Sequence, residues 1–155
     1  SHVHTAGNSP AMADAASLLL IGDESLGERI GKIPRARIIA AATVCDDPLQ
    51  VVSGCAKATA SLMSQENLTP EGVDLFELHE AFAATSIKCQ RDLGISHEKL
   101  NINGGVIALG HPMGATGGIM MGTLLDELER RSLKTGIVAA SGAAGSGTAI
   151  LIERL

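Results

Sequence analysis

A three-layer α/β sandwich is the fold class that this 155-residue sequence predicts, and three observations carry it. Short apolar runs alternate with longer stretches of helical period, the pattern of strands and helices stacked in layers. Apolar residues make up 45% of the chain but aromatics only 1%, so the core has to be built from Ala, Val, Ile, Leu and Met. The 18 glycines call for close backbone packing. A chain of about 150 residues buries about 68–70% of its unfolded surface, enough for one proper core.

The elements follow in order. Ala16–Asp23 (ASLLLIGD) reads as a buried strand closed by Gly22, and Ala36–Val44 (ARIIAAATV) as a second, ending at Asp46-Asp47-Pro48. Leu49–Gln65 reads as a helix, with Leu49, Val52, Ala56, Thr59 and Met63 at the helical repeat. Val73–Leu78 (VDLFEL) is a third strand. Ala81–Gly94 is a helix that stops at glycine, as helices often do. Ala115–Arg131 is a longer helix with Met121, Leu124, Leu125 and Leu128 as its apolar stripe, and Asp126–Arg130 and Glu127–Arg131 as i,i+4 pairs on its wet side. Thr135–Ser141 and Gly147–Glu153 complete five strands. Only Ala143–Gly147 separates the last two, which suits a hairpin and cannot hold a parallel crossover. The expected sheet is therefore mixed, mostly parallel, with an antiparallel last strand. Residues 1–155 form one domain.

Charge and cysteine usage narrow the function classes. The formal charge is −5 without a basic cluster, which argues against nucleic acid. No apolar run reaches the roughly 18 residues of a membrane span, and no signal peptide is visible. The chain opens at Ser1 without an initiator methionine, as a fragment would. Cys45, Cys55 and Cys89 show neither CxxC pairing nor metal spacing, and an odd count suits the cytoplasm or another reducing compartment. Cys55 and Cys89 read as core packing; Cys45, at a strand end, is the thiol to test for reactivity. No metal and no cofactor is expected.

The chemistry concentrates in Asn101–Gly118, NINGGVIALGHPMGATGG. Glycine costs regular structure about 0.5–1 kcal/mol relative to alanine, so a cluster around His111-Pro112 points to a backbone that must approach something closely. No Gly-Lys-[Ser/Thr] follows, so this is not a Walker A loop. His79 and Glu80 come directly after the third strand and Ser141 ends the fourth. Ligands of open α/β sheets bind outside the carboxyl ends of strands. If those two strands are parallel, His79 and Ser141 share that edge, and the glycine loop brings His111 to it.

These residues resemble the thiolase family. Asn101–Gly118 resembles its signature loop, Asn-x-x-Gly-Gly-x-Ile-Ala-x-Gly-His-Pro-x-Gly-x-[Ser/Thr]-Gly. His79–Ala83 (HEAFA) resembles the Asn/His-Glu-Ala-Phe block, and Val3–Ser9 (VHTAGNS) the segment that opens the C-terminal half. Ser141–Arg154 (SGAAGSGTAILIER) resembles the closing block Cys-x-Gly-Gly-Gly-x-Gly. The resemblance implies the C-terminal half of an acyl-CoA:acetyl-CoA acyltransferase, a five-stranded mixed sheet with helices on both faces. Its substrates would be coenzyme A thioesters, acyl-CoA and acetyl-CoA. Its partner would be an N-terminal thiolase half, in cis or on another chain, that carries the acyl-accepting cysteine, within a homo-oligomer.

The resemblance also implies roles. His111 would activate that cysteine and help to hold the thioester oxygen. His79 would stand where many thiolases keep an asparagine that holds a water, a histidine there resembling the fatty-acid-oxidising branch. Gly104, Gly105, Gly110, Pro112 and Gly114 would form the loop against the substrate and its pantetheine arm, with Glu80 and Asn103 in support. Ser141 takes the place of the family's acid/base cysteine, and a hydroxyl is a far weaker acid than a thiol. Ala143 would offer its N–H as an oxyanion donor, although the glycine triplet has become Ala143-Ala144-Gly145. Pro10 replaces a serine that contacts pantetheine in many relatives. Two classes of function therefore remain: part of an acyltransferase, or an acyl-CoA- or lipid-binding protein that has lost the chemistry. An unrelated nucleotide-binding α/β domain would leave the four ordered motifs unexplained.

Overall fold

A computed structural model describes residues 2–155. The chain forms α1 (Glu24–Ile30), β1 (Ala36–Cys45), α2 (Gly54–Gln65), β2 (Leu75–Leu78), α3 (Ala83–Leu93), α4 (Val106–Leu109), α5 (Thr116–Arg130), β3 (Thr135–Ser141) and β4 (Ser146–Arg154). The sheet order is β1-β4-β3-β2. Period-2 alternation gives both of its faces something to bury. Phe76, Leu78, Ile137, Ala139 and Leu151 point toward α2 and α3, where they meet Leu62, Cys55 and Cys89. Leu75, Val138 and Ile152 point the other way, onto Met120, Leu124 and Leu128 of α5. The three layers are those expected.

The sheet has four strands, not five. Ala16–Asp23 is not a strand: Leu18, Leu20 and Ile21 are 94%, 71% and 66% exposed. A short apolar run is buried only where a neighbouring strand and a covering layer exist, and this run has neither. It is held instead by side contacts such as the Ser17 hydroxyl, which donates to the Ala115 carbonyl at 3.0 Å. The residues after it form α1, whose signals are local. Asp23 accepts from the Leu26 N–H at 2.9 Å as N-cap, and Gly31 takes the left-handed C-terminal position at φ 64°.

The expected mostly parallel sheet is corrected as well. Between the named strands, β2–β3 pairs parallel, while β3–β4 and β1–β4 pair antiparallel. The antiparallel last strand stands. Because β4 is inserted between β1 and β3, it makes both of its neighbours antiparallel. The α2 stretch begins later than its periodicity suggests. Pro48–Gln50 is a 3₁₀ turn, Val51 adopts φ 58°, and Leu49 is exposed.

On α5 the expected Glu127–Arg131 pair forms at 2.9 Å, whereas the expected Asp126–Arg130 pair does not. Asp126 pairs with Arg35, and Arg130 pairs with Glu127. Glu127 is buried and also accepts from Arg131 and Asn103. Those donors, Arg130 foremost and then Asn103, hold its carboxyl down to about 2.

Candidate functional site

The parallel β2–β3 register sets Leu78 beside Ala139. The ladder runs one residue further, where the His79 N–H donates to the Ala139 carbonyl at 2.8 Å. His79 and Ser141 therefore leave the same sheet edge, as their positions after two strands require once those strands are parallel.

The glycine loop returns to that edge through a hydrogen-bonded frame. The buried Asn101 side chain accepts from the Leu78 N–H at 2.8 Å and donates to the Leu78 carbonyl at 2.9 Å, closing the β2 edge. It also donates to Glu80 Oε1 at 3.2 Å. Glu80 Oε2 accepts from the Ile107 N–H at 3.1 Å, in the first turn of α4. A Cβ on Gly105 would run into the Glu80 carboxyl, which is why that position has none. Gly110 adopts φ 90°, a region that suits glycine, and the next residue is His111, whose N–H donates to the Ala11 carbonyl at 2.8 Å. The opening segment thus lies along the loop. It also meets the HEAFA block, with the His4 and Phe82 rings 4.4 Å apart.

The outcome is a pair of imidazoles. The ring centroids of His79 and His111 are 4.6 Å apart at an angle of 45°. His111 is half-buried, and its Nδ1 lies 2.7 Å from the Thr116 hydroxyl at the start of α5. That contact occupies Nδ1 and leaves Nε2 for chemistry: a lone-pair base if Nδ1 carries the proton, a donor if Nε2 does. Thr116 and Asn101 were not singled out as site residues by the sequence, although both stand at fixed positions of the signature pattern.

The loop glycines line a cavity of about 120 Å³. Gly104, Gly105, Gly110 and Pro112 border it together with Glu77 and Thr116, whereas Gly114 does not. Asn103 donates to Glu127 at 2.9 Å and supports α5 rather than either imidazole. Ser141 is buried, and its hydroxyl accepts from the Cys55 N–H at 2.9 Å, at the start of α2. It shares the edge with His79, but its oxygen is engaged by the layer opposite α5. Ala143 is exposed on the following turn, where the neighbouring Ala144 adopts φ 55°. Among the described residues, no group of three or more His, Cys, Asp or Glu side chains could hold a metal ion, and no helix is long and apolar enough to cross a membrane.

Burial sets the charge state of the site. Neither ring nitrogen of His79 has a hydrogen-bond partner among the described residues. Burial first, then the neighbouring His111, hold its pKa down to about 4, with the Ser141 backbone acting in the other direction. Glu77, on β2, moves oppositely: burial, then Glu80 and Glu127, push its carboxyl up to about 8. Both residues are thus neutral near pH 7 in the folded chain.

The signs give a pH profile. As pH falls from 6.5 toward 4, the unfolded chain takes up a proton on His79 that the native chain refuses, so stability falls. As pH rises from 4.5 to 8, the unfolded chain loses a proton from Glu77 that the native chain keeps, so stability again falls. The two oppose each other between 4.5 and 6.5, and Glu77 acts alone from there to pH 8. Glu77→Gln should abolish a decline of about 1.5–2 kcal/mol across that upper window. His79→Asn should leave it intact and remove the loss on the acid side. Denaturant unfolding from pH 4 to 8 measures both, and an unaltered upper slope in Glu77→Gln would refute the assignment.

Known proteins resemble the chain in sequence and in fold. Residues 32–154 match the family model described as "Thiolase, C-terminal domain". The chain is 40% identical over 154 residues to a 3-ketoacyl-CoA thiolase of Cronobacter sakazakii, covering 97% of this chain and 40% of that protein. It is 36% identical over 151 residues to an acetyl-CoA acetyltransferase of Allochromatium vinosum, covering 97% of this chain and 38% of that one. Among solved structures, the acetyl-CoA acetyltransferase of Bacillus anthracis superposes with a TM-score of 0.92 at 35% identity, over 97% of this chain and 38% of its own. The chain spans about two fifths of the length of these relatives. With the family model covering most of its residues, the imidazole pair and its glycine loop stand in a chain that belongs to the thiolase family and corresponds to its C-terminal domain.

Proposed function

We propose that this chain is the C-terminal part of an acyl-CoA acyltransferase that cleaves 3-ketoacyl-CoA with coenzyme A, or condenses acyl-CoA with acetyl-CoA. The observation that carries the reading is the imidazole pair: a half-buried His111 oriented by Thr116 and packed against a buried His79, beside a cavity bordered by the loop glycines. Nε2 of His111 takes the proton of the nucleophilic cysteine supplied by the N-terminal half. A free thiol of pKa about 8.5 is mostly protonated at neutral pH, so a base at this point raises the thiolate fraction. The exposed Ala143, on the turn after Ser141, would offer its backbone N–H as an oxyanion donor. The exposed apolar residues Leu18, Leu20, Ile21 and Ile33 suit coverage by that half, in a homo-oligomer held in a reducing compartment.

Thiolysis of acetoacetyl-CoA tests the proposal, using the complete protein, or this chain together with an N-terminal thiolase half. Turnover is expected from the combination and none from the 155 residues alone. Intact mass of the chain after incubation with acetoacetyl-CoA should show no acyl adduct, since Cys55 and Cys89 are buried and none of the three cysteines matches the family nucleophile. A stoichiometric adduct would overturn the assignment of the nucleophile to the other half.

One observation favours a second reading, an acyl-CoA- or lipid-binding member without Claisen chemistry. Ser141 stands at the acid/base position, and its hydroxyl is engaged by the Cys55 N–H. Binding of acetyl-CoA to the complete protein without turnover would select it.

A further inference from the structure

Two thiols lie outside the site and are used by nothing in the proposed reaction. Cys55 sits in the first turn of α2 and Cys89 midway along α3. They are 0% and 1% exposed, and their sulfurs are 2.8 Å apart. Ordinary non-bonded heavy atoms such as carbons settle at about 3.5–4.0 Å, while bonded disulfide sulfurs sit at about 2.03–2.05 Å. The two buried sulfurs are thus in direct contact across α2 and α3, the first requirement for a bond between them.

We propose that Cys55 and Cys89 form a reversible dithiol/disulfide couple that joins α2 to α3, oxidised by hydrogen peroxide. The thiolate of Cys55 attacks one peroxide oxygen and the O–O bond breaks. Cys55 becomes a sulfenic acid, and the displaced hydroxide takes the released proton and leaves as water. The sulfur of Cys89 then attacks the Cys55 sulfur, losing its proton. The S–S bond forms, the S–O bond breaks, and a second water leaves. Two thiols are oxidised by two electrons and one peroxide is reduced to two waters. A small-molecule dithiol reverses the process through a mixed disulfide.

The surroundings assign the order of events. Cys55 lies at a helix start, where backbone N–H groups favour a thiolate. The Cys89 thiol, above all, holds its pKa down to about 7 against burial, and the Ser141 hydroxyl acts the same way. Cys89 is pushed up by the same contact and by burial. Cys55 is therefore the attacking sulfur and Cys89 the resolving one.

Burial of both means that oxidation proceeds through local opening, more slowly than at the exposed Cys45. The bond would tie together the two strand ends of the site. α3 begins just after the HEAFA histidine and glutamate, and the Cys55 N–H is held by Ser141. This inference stands on the thiol geometry and not on the acyltransferase reading, and its test reads a crosslink rather than turnover.

The test uses the complete protein with Cys45→Ser, treated with hydrogen peroxide, then unfolded, alkylated and peptide-mapped. The wild-type protein is treated in parallel so that modification of exposed Cys45 proves oxidant delivery. The expected result is one peptide pair linked Cys55–Cys89, with both thiols lost together and both recovered by dithiothreitol. The two cysteines are 34 residues apart, so the oxidised form should melt about 5–10 °C higher than the reduced form. If Cys55 and Cys89 both remain free for alkylation under conditions that fully modify Cys45, the proposal fails.

Discussion

Replacing His111 with alanine is expected to slow acyl transfer by about 10²–10⁴-fold, the range typical of removing a positioned acid–base group. The imidazole is asked for two things at one point, to take a thiol proton and to donate to a developing oxyanion. Its geometry allows both, because Nδ1 is engaged by Thr116 at 2.7 Å and Nε2 is left for the reactants. The substitution removes a half-buried ring that is not part of either apolar cluster, so the fold should survive it. Thr116→Val gives the internal comparison. It keeps the imidazole but loses its orientation, so its loss of rate should be smaller and its pH profile altered. Single-turnover acylation of the complete protein measures the effect. A His111→Ala variant that acylates at the wild-type rate would remove His111 from the chemistry.

Replacing Ser141 with cysteine is expected to raise thiolysis or condensation in the complete protein by at least about tenfold. A thiol near pKa 8.5 exchanges protons with a substrate carbon acid far more readily than a hydroxyl does. Position 141 ends β3 on the edge that carries His79, and on the proposed reading the substitution restores the thiol at the acid/base position. The cost is the hydrogen bond from the Cys55 N–H at 2.9 Å, for which sulfur is a poorer acceptor. Losing it should reduce stability by about 1 kcal/mol. His111→Ala in the same background should cancel the gain. If Ser141→Cys folds and leaves the rate unchanged, while His111→Ala still abolishes transfer, the acid/base role belongs to another residue.

Local signals were legible where the chemistry is local. Gly94 stops α3 in the left-handed conformation, as its place after the helical period indicated. The short link before β4 forced an antiparallel turn. Positions directly after strands placed His79 and Ser141 on one edge. The failures have one origin. Ala16–Asp23 has the composition of a buried strand, but whether such a run pairs depends on a free sheet edge and a covering layer, neither of which is written in the run itself. The reading of a helix from Leu49 failed in the same way, because the turn at Pro48 displaces the helix start to Gly54. Glu127 looked like a solvated charge because its period faces outward on an isolated helix, yet Asn103 and two arginines enclose it.

By itself, the sequence determined the family, the layered α/β class and the identity of the loop that carries His111, since these rest on residue types at fixed spacing. Tertiary structure alone decided three things: the tilted packing of His79 against His111, the engagement of the Ser141 hydroxyl by α2, and the approach of Cys55 to Cys89. Each joins residues more than 30 positions apart. Such contacts follow from strand register and helix docking, which depend on the whole core at once and leave no local pattern to read.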